Sequence, residues 1–148
     1  MPQETPQGLR PLLWTSVILS SVGIVISGYL VVKRFTGGNL VCTRWADCDV
    51  VNNSVYSQLF GVPVSAIGLV GYLALLGLAI AALWTHGRAR HQILLLTLFL
   101  SLGGVGFSAY LTYLEIYVIE ALCSWCVASA VVIMLLAIVM AVASRRAA

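Results

Sequence analysis

Along the chain, apolar residues run in long blocks that break only where charged and turn-forming residues collect. Uncharged intervals extend from Arg10 to Lys33, from Asp49 to Arg88, from Arg90 to Glu115 and from Glu120 to Arg145. Each holds one span of about 20 residues, the length that crosses a hydrocarbon core about 30 Å thick. The expected spans are residues 12–32, 64–84, 93–113 and 123–143, packed as an antiparallel, all-α bundle in the membrane. Residues 1–10, with Pro2 and Pro6, read as a loose tail, and residues 11–148 as a single four-helix domain. The first block is too long for the apolar part of a secretory signal and lacks a small-residue cleavage site, so a retained helix is expected.

Small residues recur inside the blocks. Ser16, Ser20, Gly23 and Ser27 in the first, Gly68, Gly71 and Gly77 in the second, and Gly103, Gly104, Gly106 and Ser108 in the third predict faces where helix backbones approach closely. The connection over residues 33–62 is the longest. It opens on a Gly37-Gly38-Asn39 turn, and Val51, Val55 and Leu59 then fall at i, i+4 and i+8, the stripe of a short amphipathic helix closed by Gly61 and Pro63. Such a helix, lying at the interface, would cover the mouth of the bundle as a lid.

Composition agrees with the pattern: 61% hydrophobic and 9% charged, against about 45–50% and about 25% in soluble domains. The hydrophilic remainder of the sequence holds no room for a soluble domain. A net charge of +3 would suggest nucleic acid in a soluble protein, but here the basic residues flank spans and set topology, so lipid and not nucleic acid is the expected surroundings. Arg10, Arg88, Arg90, Arg145 and Arg146 share one side of a four-span chain, and Lys33, Arg34 and Arg44 the other. The positive-inside bias therefore places both termini in the cytoplasm. Cys42, Cys48, Cys123 and Cys126 then all lie on the extracytoplasmic side, where disulfides persist.

Four cysteines allow three pairings, and the spacing favours Cys42 with Cys48 and Cys123 with Cys126. Closing a loop as small as Cys123-Ser-Trp-Cys126 stabilises little, whereas a helix N-terminus offers unpaired N–H groups to a thiolate, so the pair suits redox chemistry better than stapling. Cys126 would sit one turn below Cys123, roughly 4.5 Å deeper at 1.5 Å per residue. One sulfur could then meet a thiol partner and the other a hydrophobic oxidant. Cys42 and Cys48, on a loop after Gly37-Gly38, form a pair able to shuttle. Quinone, a lipid-soluble two-electron acceptor, matches the two electrons that two thiols release. A four-thiolate zinc site and a scaffold of two structural disulfides remain alternatives. Trp125 is a candidate wall of the redox pocket, Tyr110, Tyr113 and Tyr117 candidate pocket wall or interfacial belt, and Glu115 and Glu120 interfacial charges that could move the two protons quinone reduction consumes. His86 and His91 read as solvated surface, and no metal site is expected.

These residues resemble the vitamin K epoxide reductase family, of the bacterial kind without a fused thioredoxin domain. The matching features are Cys42 and Cys48 with five residues between them, Ser54 six residues on, Phe60-Gly61-Val62-Pro63, and Cys123-Ser-Trp-Cys126 opening the last span. The resemblance implies a quinone-linked thiol oxidoreductase of the bacterial inner membrane. A thioredoxin-fold periplasmic or other extracytoplasmic partner would be reoxidised through Cys42. Cys48 would pass electrons to Cys123, and Cys126 would reduce a quinone of the ubiquinone, menaquinone or vitamin K type, with Ser54 near the quinone on the lid. Vertebrate members carry a quinone-bonding Tyr four residues after the last cysteine and an Asn early in span two. Ala130 and about Val64 stand there in this chain, which favours plain quinone over the epoxide as oxidant.

Overall fold

A computed structural model of the chain describes residues 8–36, 58–59, 61–119 and 124–147. Four helices are long and apolar enough to cross a membrane: α1 Leu9–Thr36, α2 Val64–Trp84, α3 Gly87–Tyr113 and α4 Ser124–Ala147. Even the shortest, α2 with 21 residues, is about 31 Å long at 1.5 Å per residue. A π-helical turn, Leu114–Ile119, continues α3. The expected lid helix falls largely outside the described residues. Its last apolar position does not join it, because Gln58–Leu59 (β1) is extended and pairs antiparallel with Val62–Pro63 (β2). Gly61, at φ +80°, makes the turn between them, a backbone conformation that costs glycine nothing. Pro63 (φ −59°, ψ 136°) then stands at the N-cap of α2.

The helices form a ring in which α1 packs on α2 and α4, and α3 on α4 and α2. Successive helices alternate in direction. Leu9 and Leu13 of α1, Ala82 of α2, Leu94 of α3, and Met140 and Ala143 of α4 meet in one cluster, so the termini and the α2–α3 link share one rim, called here the terminal rim. A second cluster, with Ile26, Leu30, Tyr72, Leu75, Ile133 and Leu136, fills the opposite half beneath Cys126.

The packing is inside-out relative to a water-soluble bundle. Ser16, Ser20, Thr97 and Ser101 are fully or almost fully buried, while Ile18, Val25, Val70 and Phe99 point outward. Small side chains let backbones approach where lipid supplies no hydrophobic drive between helices. Three of the four hydroxyls are satisfied locally: Ser16 donates to the Leu12 carbonyl at 2.9 Å, Thr97 to Ile93 at 2.7 Å and Ser101 to Thr97 at 2.8 Å, while Ser20 Oγ has no partner among the described residues. The stripe on α1 is a packing face as expected. At Gly23 the Tyr72 ring of α2 lies so close that a Cβ would overlap it. The glycines of the other spans divide. Gly68 faces Ser27 and Gly104 faces Ile133, but Gly71, Gly77, Gly103 and Gly106 have open space where a Cβ would stand, so the expected glycine-lined faces of α2 and α3 are not continuous contacts.

Candidate functional site

One cavity among the described residues draws on all four helices. It measures about 150 Å³ and its lining is overwhelmingly apolar. Leu30 of α1, Leu75 of α2, Phe107 and Leu111 of α3, and Ile133 of α4 supply walls. Gly68 and Gly71 also line it, and at Gly71 the missing side chain leaves volume instead of contact. An apolar cavity of about 150 Å³ is known to take a benzene ring.

Polar groups reach this space at a few places. Cys126, in the first turn of α4 and half-buried, lines the cavity. One helical turn below it is Ser129, whose carbonyl accepts a hydrogen bond from the Tyr72 hydroxyl at 2.9 Å. The Ser129 hydroxyl lies 2.8 Å from the same Tyr72 oxygen. Tyrosine has one O–H, so with that hydrogen on the carbonyl, Ser129 donates to Tyr72. The two hydroxyls thus tie α2 to α4 and leave only acceptor capacity for a ligand. Ser65, at the start of α2, differs: its Oγ is shut from solvent, lines the cavity and finds no hydrogen-bond partner among the described residues. A buried hydroxyl without a partner is costly, and a carbonyl oxygen entering the cavity would remove that cost.

Glu115 completes the lining. It is only 3% exposed, so it is not the interfacial charge its place in the sequence suggests. The π-helical turn sets this. Leu114 and Glu115 turn inward, while Ile116, Tyr117 and Val118 face outward. Such turns concentrate at functional sites, and an ionisable side chain within a span is itself a functional marker.

Other candidate residues lie elsewhere. Tyr110 and Tyr113 are more than half exposed and do not line the cavity; Tyr113 packs instead on Tyr117 with ring centroids 5.0 Å apart. Trp125 does not line it either. Its ring packs on Tyr29 of α1 at 4.8 Å and holds the start of α4 against α1. Cys42, Cys48, Ser54 and Cys123 fall outside the described residues. Tyr72, Ser129 and Ser65 were not singled out from the sequence, where hydroxyls in apolar spans look like packing residues. Among the described residues no group of three or more His, Cys, Asp or Glu gathers as a metal site. His91 departs from the solvated reading, its Nδ1 being buried without a partner among the described residues.

A ring with carbonyl oxygens fits this donor set: apolar walls for its faces, Ser65 for an oxygen, a cysteine at its side and a carboxyl in reach of the same space. The model of the vitamin K epoxide reductase family matches residues 14–141 of the 148.

Proposed function

The chain belongs to the vitamin K epoxide reductase family and is an integral membrane oxidoreductase of the thiol and quinone class, and from that premise we propose that it reoxidises a thioredoxin-fold extracytoplasmic partner for disulfide formation. A thiolate of the partner attacks Cys42 of a Cys42–Cys48 disulfide, and Cys48 leaves. Cys48 attacks Cys123 of a Cys123–Cys126 disulfide, releasing Cys126. The partner's second thiol breaks the bond to Cys42, closing the partner's own disulfide and freeing Cys42, which then resolves the Cys48–Cys123 bond; this restores the outer disulfide and leaves Cys123 and Cys126 as a dithiol. Bound quinone supplies an acceptor for the two electrons and two protons of that dithiol. Overall, two partner thiols become one disulfide and quinone becomes hydroquinone.

The observation that carries this reading is the opening of Cys126 onto an apolar cavity that also holds Ser65 and Glu115. Ser65 would donate to a ring oxygen, and Phe107 and Leu111 would flank the ring and exclude water. Glu115 would carry protons between the dithiol and the ring oxygens, and Ser54 would stand over the same site. Plain quinone is the favoured acceptor. Val64 lines the cavity without a hydrogen-bonding group, and Ala130, where vertebrate members have their Tyr, is not part of the lining.

Trapping tests the electron path. A reduced thioredoxin-fold partner that keeps only its attacking cysteine, incubated with the protein bearing its Cys42–Cys48 disulfide, is expected to accumulate a mixed disulfide at Cys42, visible on non-reducing gels and mapped by peptide mass. Accumulation at Cys123 or Cys126 instead would overturn the order of the relay.

A further inference from the structure

We propose that the cleft at the terminal rim, between α1 and the α2–α3 link, binds the phosphodiester headgroup of an anionic phospholipid. The cleft measures about 540 Å³ and is far from Cys126, so this site is independent of the thiol and quinone reading. Arg10 of α1 and Arg90 of α3 both line it.

Arg90 is the anomaly. It is 4% exposed, and its Nε donates to the Ala82 carbonyl at 2.9 Å while Nη2 donates to His86 Nδ1 at 3.1 Å. The first bond caps an open carbonyl at the end of α2, and the negative end of that helix offsets about half a charge. A guanidinium has five N–H donors, so three remain. Among the described residues no carboxylate pairs with Arg90 or with Arg10, and a cation withdrawn from water without a counter-charge is costly. Two arginines sharing one cleft, with no acid among its described lining residues, call for an anion.

The rest of the cleft determines what kind. Below the arginines, Leu13 and Val17 of α1 face Ile80 and Leu83 of α2, a path with nothing to offer a hydrophilic ion. Trp14 and Trp84 line the same cleft and are 50% and 80% exposed, the amphipathic rings typical of headgroup depth. An anionic head at Arg10 and Arg90 with an apolar chain running past Val17 and Ile80 describes an amphiphile. Basic pockets between spans take anionic headgroups in this way. Bound there, the lipid would join α1 to the α2–α3 link.

The test uses the full chain in neutral detergent, titrated with phosphatidylglycerol, phosphatidylcholine or inorganic phosphate, and read by native mass spectrometry and by the thermal midpoint. Phosphatidylglycerol is expected to be retained and to raise the midpoint, with phosphatidylcholine and inorganic phosphate far weaker. Arg90→Gln also removes the α2 cap and could unfold the protein, so the deciding variant is Arg10→Gln at an exposed position. It should bind phosphatidylglycerol about fivefold more weakly, the loss of one basic residue at a membrane surface. Equal retention of both lipids, unchanged binding in Arg10→Gln, or phosphate binding as tight as lipid would overturn the site. Tighter lipid binding in Glu4→Gln would overturn it too, by giving the cleft to an acid of the chain's own N-terminal segment.

Discussion

At the scale of single residues, the cavity separates groups that hold the bundle together from groups still open to a ligand. Tyr72 and Ser129 bond to each other, whereas Ser65 has no partner among the described residues. Glu115, buried in the same lining, supplies an ionisable group. If Glu115 moves protons, Glu115→Gln keeps its size and hydrogen-bonding capacity but removes the transferable proton. General acid–base catalysis contributes about 10²–10⁴-fold. Quinone reduction by this variant should therefore fall by about 100-fold or more, while formation of the mixed disulfide with the partner proceeds at the wild-type rate. Stopped-flow quinone absorbance checks the first effect and non-reducing gels the second. A uniform loss of both would mean that Glu115 only supports the fold. The sequence locates this carboxyl but not its surroundings, because five residues from Glu120 it looks like part of a rim.

At the scale of elements, the apolar blocks give the helices directly, since a lipid-spanning segment must satisfy its own backbone and only a helix does so within one segment. The inward rotation of Glu115 is not written in that pattern. A π-helical turn holds a slightly wider repeat than the 3.6 residues of an α-helix, and a short apolar run fits either. Glycine spacing misleads for a related reason, because a glycine serves equally to let a neighbour approach, as at Gly23, or to leave space, as at Gly71. Only the partner helix decides. Gly23→Ala tests the first case. Its methyl must displace the Tyr72 ring, and overpacking of this kind costs about 1–3 kcal/mol. A lower thermal midpoint in detergent is expected, together with a raised KM for quinone, because Tyr72 lines the cavity and holds Ser129. An unchanged midpoint would show that α1 and α2 are less closely apposed.

At the scale of the whole molecule, the two ends of the bundle divide the chemistry. Arg10, Arg90 and Arg146 gather at the terminal rim, where Arg146 Nη1 also donates to the Gly8 carbonyl at 3.2 Å. Cys126 and the cavity lie at the other end. Charge bias then predicts a cytoplasmic terminal rim. In intact cells a membrane-impermeant thiol reagent should label the cysteines after mild reduction, whereas a cysteine placed at Ala148 should need permeabilised cells. The reverse pattern would invert the topology. The cysteine spacing was legible because redox chemistry demands particular residues at particular intervals. The cavity was not, since it depends on four helices meeting. The central claim is that electrons leave through Cys126 into quinone, and absorbance reports it directly. With reduced thioredoxin-fold partner in excess, the purified wild-type protein should bleach the quinone band with one partner disulfide formed per quinone, and Cys126→Ala should abolish the bleaching. Undiminished turnover in Cys126→Ala would contradict the account.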